Sequence, residues 1–390
     1  MDLSYILNEL GEDRELYFNA VAPPIVQTSN FAFPGVAQMR AALKGEYHQH
    51  AYSRGNNPTV EMLRRKLAAL EGAEDALVFA SGSAAIAATL TAHVRAGDHV
   101  VSVAKPYSWT AGLMRDWLPR FGVSVTFVDG TQLANFEEAL RPETRVIYLE
   151  SPNSFTFEMQ DLAAVAGLAK ARGIVTMVDN SYASPLYQQP LAMGIDLVLH
   201  SASKYLGGHS DVVAGVVCGS TDRMQQIFAG EYMTFGAIIA PLNAWLLLRG
   251  LRTLPLRLER SGQTARQVMA YLETHPRIER VIYPLLPSHP QYELARRQMK
   301  GAGGLFTVAL ATDSVEEVEG FCNRLKRFLL AVSWGGHESL VFPACASFDP
   351  KTAGKGTAFN LVRLYVGLEE PEVLIADLEQ ALKGVLSIEY

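Results

Sequence analysis

The chain has 390 residues, of which 49% are hydrophobic and 19% are charged, and its formal net charge is −6. This length exceeds what one ordinary hydrophobic core accommodates, so we expect two domains. The composition is that of a globular protein, and without a long run of Lys or Arg it argues against nucleic acid and anionic membrane as partners.

The N-terminal segment is acidic and lacks the basic start and apolar core of a signal peptide. No stretch approaches the roughly 20 apolar residues of a membrane span. Cys218, Cys322 and Cys345 are widely spaced and form neither a CxxC pair nor an even disulfide set. These features predict three reduced thiols in a cytoplasmic protein.

Residues 1–50 have no regular pattern and contain many aromatics, which predicts an N-terminal arm that packs on a neighbouring subunit. A helical pattern follows at 60–71, and short apolar runs then alternate with helical patterns such as 84–96. This alternation predicts an α/β domain over 51–245, with a mostly parallel sheet between helices. The predicted strands are Ala76–Phe79, Val100–Ala104, Val123–Val128, Val146–Leu149, Ile174–Val178, Leu197–Leu199 and Val212–Val217.

The pattern changes from about Gly236 onward. A long helical stretch covers 244–271, and Pro255 is expected to bend or break it. Two strand patterns follow at 305–310 and 360–366, each beside helical segments. Residues 246–390 are therefore predicted to form a smaller α+β C-terminal domain.

Ligands of α/β sheets bind beyond the carboxyl ends of the strands, so the residues that follow each predicted strand are the first candidates for a site. The turn Ser81–Ser83 opens a helix, whose free N–H groups suit a phosphate. An ordinary turn with a serine N-cap is the commoner explanation of such a segment. Asp179 follows another strand, where a carboxylate can pair with a cationic ring nitrogen, although in isolation an Asp-Asn turn is the better explanation.

Lys204 follows a third strand, after two serines. A lysine that is partly desolvated at a strand end is a nucleophilic amine, whereas a lone lysine more often extends to solvent. The three signals reinforce one another. A phosphate site, a carboxylate and a strand-end lysine are what a phosphorylated pyridine aldehyde requires.

Two longer runs carry a resemblance to a known family. These are Ser-Ala-Ser-Lys-Tyr-Leu-Gly-Gly-His-Ser-Asp at 201–211, with Gly215 four residues on, and Tyr-Ser-Arg-Gly-Asn-Asn-Pro-Thr at 52–59. They resemble the signatures of the Cys/Met-metabolism pyridoxal-phosphate (PLP) enzymes, which include cystathionine lyases and synthases, methionine γ-lyase and O-acylhomoserine sulfhydrylases. The likeness extends over nearly the whole chain, and it implies the PLP fold type I and pyridoxal 5'-phosphate as cofactor.

The resemblance also implies roles for individual residues. Lys204 would hold the cofactor as a Schiff base and then move protons at the substrate, and Asp179 would keep the pyridine nitrogen protonated. Tyr107 would stack on the ring and assist proton transfer. The implied phosphate contacts are Gly82, Ser83, Ser201 and Ser203, with Tyr52 and Arg54 reaching in from the neighbouring subunit.

Arg363 would grip the substrate α-carboxylate, beside the loop that contains Ser333 and Trp334. Each active site would then need two chains, in a homotetramer built from dimers that share active sites. Ser154 stands where many members carry an asparagine that contacts the cofactor ring hydroxyl, with Asn153 directly before it.

Two departures and one further likeness bear on the subtype. Trp109 stands where methionine γ-lyases typically have a cysteine, and Val332 stands where cystathionine γ-lyases and γ-synthases often have a glutamate. The run 333–336 resembles enterobacterial-type cystathionine β-lyases, although those carry a tyrosine at the place of Val332. His48 and His50 either touch a substrate in the neighbouring site or lie in a solvated loop, and the second is the better expectation.

These features favour a carbon–sulfur lyase that acts on cystathionine or a related sulfur amino acid by β-elimination. The alternatives are γ-elimination and γ-replacement on an O-acylated homoserine. A non-catalytic PLP-binding protein is another class, but cofactor storage has no need of Arg363. An α/β hydrolase with Ser210 as nucleophile is disfavoured because its run lacks the final glycine of the nucleophile elbow. No metal ligand set is predicted.

Overall fold

The protein was analysed as a computed structural model that describes residues 1–347 and 358–383. Residues 348–357 and 384–390 of the predicted C-terminal domain lie outside the described part. The described chain forms two compact units. The first contains residues 1–151, 159–207 and 211–252, and the second contains 152–158, 208–210 and the described residues from 253 onward.

The first unit is built on a seven-stranded sheet of described residues with strand order β1-β7-β6-β5-β4-β2-β3. Its strands are β1 Asp75–Phe79, β2 His99–Val103, β3 Ser124–Val128, β4 Thr144–Glu150, β5 Val175–Asp179, β6 Leu197–Ser201 and β7 Gly215–Gly219. Strands β2 to β6 pair in parallel, whereas β7 is antiparallel to both β6 and β1. The mostly parallel sheet between helices is thus confirmed.

Helices and short turns surround this sheet. The helices are α1 Leu3–Asn8, α2 Val36–Lys44, α3 Pro58–Glu71, α4 Gly82–Thr91, α5 Ser108–Gly112, α6 Leu133–Ala139, α7 Leu162–Lys170, α8 Ser184–Tyr187, α9 Thr221–Ile227, α10 Met233–Phe235 and α11 Pro241–Arg252. Helix α3 begins where the Asn57 side chain accepts the N–H of Thr59 at 3.0 Å, with Pro58 in its first turn. It ends at Gly72, whose φ of 69° lies in the left-handed region that glycine adopts without strain.

Both faces of the sheet are apolar and buried. Successive strand residues point to opposite faces, so Tyr148, Met177 and Leu199 belong to one core cluster, and Ile147, Val178 and Val198 belong to the other. Burial on both faces explains why these strands are almost continuously hydrophobic in sequence.

The second unit contains a smaller sheet, which has five strands in the described residues, ordered β10-β11-β12-β9-β8. Its strands are β8 Ile278–Ile282, β9 Leu305–Leu310, β10 Leu329–Leu330, β11 Leu340–Pro343 and β12 Leu361–Tyr365. The pairs are antiparallel apart from β10 with β11. Its helices are α12 Leu254–Glu273, α13 Tyr292–Gln298, α14 Val315–Arg324 and α15 Pro371–Lys383.

The predicted break in the long helical stretch is confirmed. It falls at Thr253, and Pro255 lies in the first turn of α12, as expected for a residue without an N–H to donate. Other elements differ from the sequence-based expectation. Strands β8, β10 and β11 were not predicted. Two of them are edge strands: β8 carries charged residues, and β10 has only two residues, both exposed. The N-terminal arm is less irregular than predicted, since it contains α1 and α2.

Candidate active site

The carboxyl ends of three neighbouring parallel strands, β4, β5 and β6, lie side by side. Glu150 is opposite Asp179 in the register of β4 and β5, and Asp179 is opposite Leu199 in the register of β5 and β6. By the alternation of strand residues, Glu150, Asp179 and Ser201 all belong to the face of the sheet that carries Leu199. This edge is where ligands of α/β sheets bind.

Lys204 lies in the turn that follows β6 directly. Its main-chain N–H donates to the Ser201 carbonyl at 3.1 Å, and the N–H of Gly207 donates to the Ala202 carbonyl at 2.8 Å. The side chain is partly buried, and its positive charge acts on the Asp179 carboxyl. The charge of the lysine therefore acts on the carboxyl group from the neighbouring strand end.

Asp179 is buried, with 8% of its surface exposed. Burial raises the pKa of its carboxyl, and this effect is opposed by hydrogen bonds from Ser181 and by the charges of His200 and Lys204. The Ser181 N–H donates to Asp179 at 2.9 Å, and the Ser181 hydroxyl oxygen accepts the N–H of Ser201 at 2.6 Å. A carboxylate in such a place is stabilised by a cationic partner such as a protonated ring nitrogen.

The first turn of α4 meets the end of β6. The Ser81 hydroxyl caps this helix by accepting the Ala84 N–H at 3.0 Å, and the N–H groups of Gly82 and Ser83 have no acceptor within the helix. A Cβ added at Gly82 would lie 3.1 Å from the Ser201 Cβ, so helix and strand approach closely here. The arrangement fits a phosphate group at the helix N-terminus, between the main chain and the Ser201 hydroxyl.

Ser203 lies one residue before Lys204, and its hydroxyl stabilises the turn that contains both residues. Its hydroxyl oxygen accepts the Ala214 N–H at 3.0 Å, and its O–H is 3.4 Å from the Ala214 carbonyl oxygen. The hydroxyl therefore has a structural bond of its own, besides any bond to a phosphate.

Tyr107 precedes α5, and its main-chain N–H donates to the Glu150 carboxylate at 2.6 Å. Its side chain is 45% exposed, and its pKa is raised by partial burial and by the charges of Glu150 and Asp179. Glu150 is a site residue that sequence reasoning missed. Its signal was its position as the last polar residue of a buried strand, directly before Ser-Pro.

The second unit holds another set of predicted residues. Arg363 on β12 is 8% exposed, and its two terminal nitrogens donate to the carbonyls of Ser154 and Val332 at 3.0 Å each. Its guanidinium also lies 5.6 Å and 5.1 Å from the ring centroids of Phe155 and Phe342. Two carbonyls and two rings thus orient the guanidinium plane.

Arg363 is bonded to two loops, one with Asn153 and Ser154 and the other with Val332, Ser333 and Trp334. The Asn153 side-chain oxygen accepts the N–H groups of Phe155, Thr156 and Phe157 at 2.8–3.1 Å, and its amide donates to the Thr156 hydroxyl at 3.0 Å. Asn153 is therefore occupied in shaping its own loop. In the other loop Ser333 is partly buried and Trp334 is buried, while Val332 is exposed.

Tyr52 and Arg54 are exposed, and the Arg54 guanidinium lies 5.5 Å from the Tyr52 ring centroid. Within the described part of the chain neither side chain is hydrogen-bonded to Gly82, Ser201 or Ser203. Within one chain this pair therefore makes no hydrogen bond to the predicted phosphate contacts. Nearby, His50 is bonded to Glu61 at 2.8 Å.

Comparisons with known proteins agree with this geometry. The family model for Cys/Met metabolism PLP-dependent enzymes matches residues 6–383. The L-methionine gamma-lyase of Fusobacterium nucleatum subsp. nucleatum is 41% identical over 382 residues, which cover 96% of each chain. That of Pseudomonas putida is 41% identical over 380 residues, covering 96% of this chain and 95% of the relative. The cystathionine gamma-lyase of Macaca fascicularis is 38% identical over 381 residues, covering 96% and 92%.

The fold and the residues at the strand edge define a PLP-dependent enzyme of fold type I. The chain belongs to the Cys/Met metabolism family of these enzymes, and it is a lyase. Among the helices that the structure describes, none has the length and apolar character needed to cross a membrane.

Proposed function

We propose that this protein cleaves the carbon–sulfur bond of a sulfur amino acid and releases a thiol, ammonia and a 2-oxo acid. The observation that carries the proposal is the buried carboxyl of Asp179 at a strand end next to the Lys204 turn, together with the close approach of Gly82 to Ser201. This set of groups suits the ring nitrogen, the aldehyde and the phosphate of one cofactor.

Bound pyridoxal phosphate supplies an electron sink for the carbanion that forms at the substrate Cα. In this proposal Asp179 keeps the ring nitrogen protonated, because a carboxylate is a stable partner for a cationic N–H. The N–H groups of Gly82 and Ser83, with the hydroxyls of Ser201 and Ser203, bind the phosphate.

Lys204 holds the cofactor, removes the proton from the substrate Cα and later returns protons to the reacting substrate. Tyr107 packs on the ring and assists proton transfer near the leaving sulfur. Arg363 binds the α-carboxylate in two parallel hydrogen bonds and so orients the Cα–H bond, with Ser333 and Trp334 beside it. Ser154 contributes its main-chain carbonyl to the orientation of Arg363.

The position of the bond that breaks is the finer part of the proposal. The names of the relatives, L-methionine gamma-lyase and cystathionine gamma-lyase, support elimination at the γ carbon, with 2-oxobutanoate as product. The run 333–336 and the absence of a glutamate at Val332 support β-elimination from cystathionine, with pyruvate as product. We favour γ-elimination because those relatives match over nearly the full chain, and keep β-elimination as the second candidate. Trp109, 71% exposed, counts against methionine as the substrate.

The experiment is to incubate the holoenzyme with cystathionine and with methionine and to identify the 2-oxo acid by mass. We expect 2-oxobutanoate from cystathionine, whereas pyruvate would establish β-elimination. A product that appears only with an added thiol and an O-acylated homoserine would establish γ-replacement. Absence of both 2-oxo acids from a cofactor-loaded enzyme would contradict the proposal, whether or not a replacement product forms.

The same preparation tests Lys204. We expect a visible absorption band from the bond between Lys204 and the cofactor, and Lys204→Ala should abolish it. Lys170→Ala is the matched control, because Lys170 is exposed at the end of α7 and should leave the band unchanged. A wild-type protein that stays colourless after addition of pyridoxal phosphate would refute the assignment.

We further propose that the enzyme works as a homo-oligomer of active-site-sharing dimers, assembled into a tetramer. Leu16, Phe18 and Val21 of the N-terminal arm are exposed by 83%, 100% and 80%, which is costly for a lone chain in water. A second copy of the chain is the proposed cover for these side chains. Exposed Tyr52 and Arg54 would then reach the phosphate of the neighbouring site. A cytoplasmic location remains our proposal, consistent with three free, buried cysteines.

A further inference from the structure

A buried polar network lies on the other face of the sheet, directly behind the site residues. Ser151, Asn180 and His200 are sequence neighbours of Glu150, Asp179 and Ser201, so their side chains belong to the opposite face. At the end of each of the three strands, one residue therefore lies on the face of the site, and its neighbour in sequence lies on the face of this network.

Glu71, at the C-terminal end of α3, is the centre of the network. One of its carboxylate oxygens accepts hydrogen bonds from the His200 Nε2 and from the Asn180 amide, the latter at 3.2 Å. The other oxygen is buried and has no hydrogen-bond partner among the described residues. A buried carboxylate with one unsatisfied oxygen is costly, so it calls for a reason beyond packing.

Gln188 connects the network to the third strand. Its amide donates to the Ser151 carbonyl at 2.7 Å and to the Asn180 side-chain oxygen at 2.9 Å. The Asn180 amide in turn donates to the Gln188 carbonyl at 3.1 Å. The residues that follow β4 and β5, and His200 of β6, are thereby tied to one helix end.

We propose that Glu71 is a positioning residue, which acts through His200 and Asn180 to hold Asp179 and the Lys204 turn in the geometry that the cofactor requires. Asn180 is covalently next to Asp179, and His200 lies four residues before Lys204, so a shift in either moves a site residue directly. The bond to Glu71 also places a proton on the His200 Nε2 and fixes the orientation of the ring. The inference rests on the proposed roles of Asp179 and Lys204.

The decisive comparison is between Glu71→Ala and Glu71→Gln in the holoenzyme. Glutamine keeps an oxygen that accepts from His200 and Asn180, whereas alanine removes it. For Glu71→Ala we expect kcat to fall on the order of tenfold or more, with KM changed by less than about threefold, because the error is in positioning rather than substrate binding. The cofactor should also dissociate on the order of tenfold more readily, followed without substrate through its visible band. Glu71→Gln should recover both values to within about threefold of wild type.

His99→Ala is the matched control. His99 is fully buried in the same sheet, at the amino end of β2, where its ring is bonded to Thr144 and Thr126 at 2.8 and 2.9 Å. It should lower thermal stability without changing kcat or the cofactor band. Equal loss of kcat in His99→Ala would overturn the inference, since general destabilisation would then explain the effect.

Two other results would overturn it. One is a Glu71→Ala enzyme whose kcat and cofactor dissociation constant match the wild type, and the other is a Glu71→Gln enzyme as impaired as Glu71→Ala. If Glu71→Ala does not fold, His200→Phe and His200→Gln decide instead. Glutamine can donate to Glu71 and should restore cofactor binding relative to phenylalanine, whereas equal loss in both would refute the inference. The cofactor readout needs no substrate, so it is independent of which elimination the enzyme performs.

Discussion

Arg363 offers a quantitative test of substrate binding. Replacement by alanine removes a guanidinium that is 8% exposed and is held by the carbonyls of Ser154 and Val332 at 3.0 Å each. The proposed bond to the substrate carboxylate consists of two parallel, charge-assisted hydrogen bonds. At about 1.5–3 kcal/mol each, their loss amounts to about 3–6 kcal/mol, or a decrease in kcat/KM of about 10²–10⁴-fold.

Arg363→Lys separates charge from geometry. Lysine keeps the positive charge but offers a single flexible ammonium, so it cannot satisfy both carbonyls and bind a carboxylate in two parallel bonds. We expect it to recover about half of the lost free energy, one hydrogen bond of about 1.5–3 kcal/mol. The recovered part should appear mainly in KM, because the ammonium binds the carboxylate but does not fix the orientation of the Cα–H bond.

The assay is steady-state release of the 2-oxo acid, with the visible cofactor band recorded for each variant. Arg327→Ala is the control, since Arg327 belongs to the same unit and is exposed. A kcat/KM for Arg363→Ala within about tenfold of wild type, with the cofactor band intact, would show that no charge-assisted bond to the carboxylate was lost. It would remove Arg363 from the substrate site.

Two further predictions concern Asp179 and the shared site. Asp179→Asn should abolish most turnover while Ser181 still donates to the side chain. Burial raises the pKa of the Asp179 carboxyl in the folded protein above its unfolded value. The contribution of this carboxyl to stability therefore falls as the pH rises from its unfolded pKa through its folded pKa. The apo Asp179→Asn variant should therefore unfold at a higher temperature than the apo wild type at pH 8, and the difference should be smaller in acid. Calorimetry showing the opposite order would contradict the destabilisation of the apo protein by a buried carboxylate. Arg54→Ala and Lys204→Ala should each be inactive alone, yet random mixing of their subunits should restore about a quarter of wild-type activity if each site is built from two chains. No recovery in verified mixed oligomers would count against sharing.

The alternation of apolar runs and helices predicted the large sheet correctly, because strands buried on both faces leave a strong sequence signal. Strand β9 was predicted with the bounds that the structure shows. The smaller sheet was harder to predict. Strand β10 has two exposed leucines and β8 carries charged residues, so their existence depends on pairing partners far away in sequence.

The candidate site was likewise predicted only in part from the sequence. Lys204, Asp179 and the Ser81–Ser83 turn were visible in sequence, since each follows a buried strand with the polar group that its chemistry needs. Glu150 was not identified as a site residue, because its partner Tyr107 is 43 positions away. The sequence left Asn153 and Ser154 as alternative contacts of the cofactor ring hydroxyl, and it did not reveal the bonds of Asn153 within its own loop.

The sequence by itself therefore determined the family, the cofactor and the strands of the large sheet, because local runs of residues carry those signals. Only the tertiary structure decided which strand ends are neighbours. It thereby decided that the charge of Lys204 acts on Asp179, and that Glu71 is bonded to His200, 129 positions away. The physical reason is that register and strand order set which side chains share a face of a sheet. A linear pattern of residues does not contain that information.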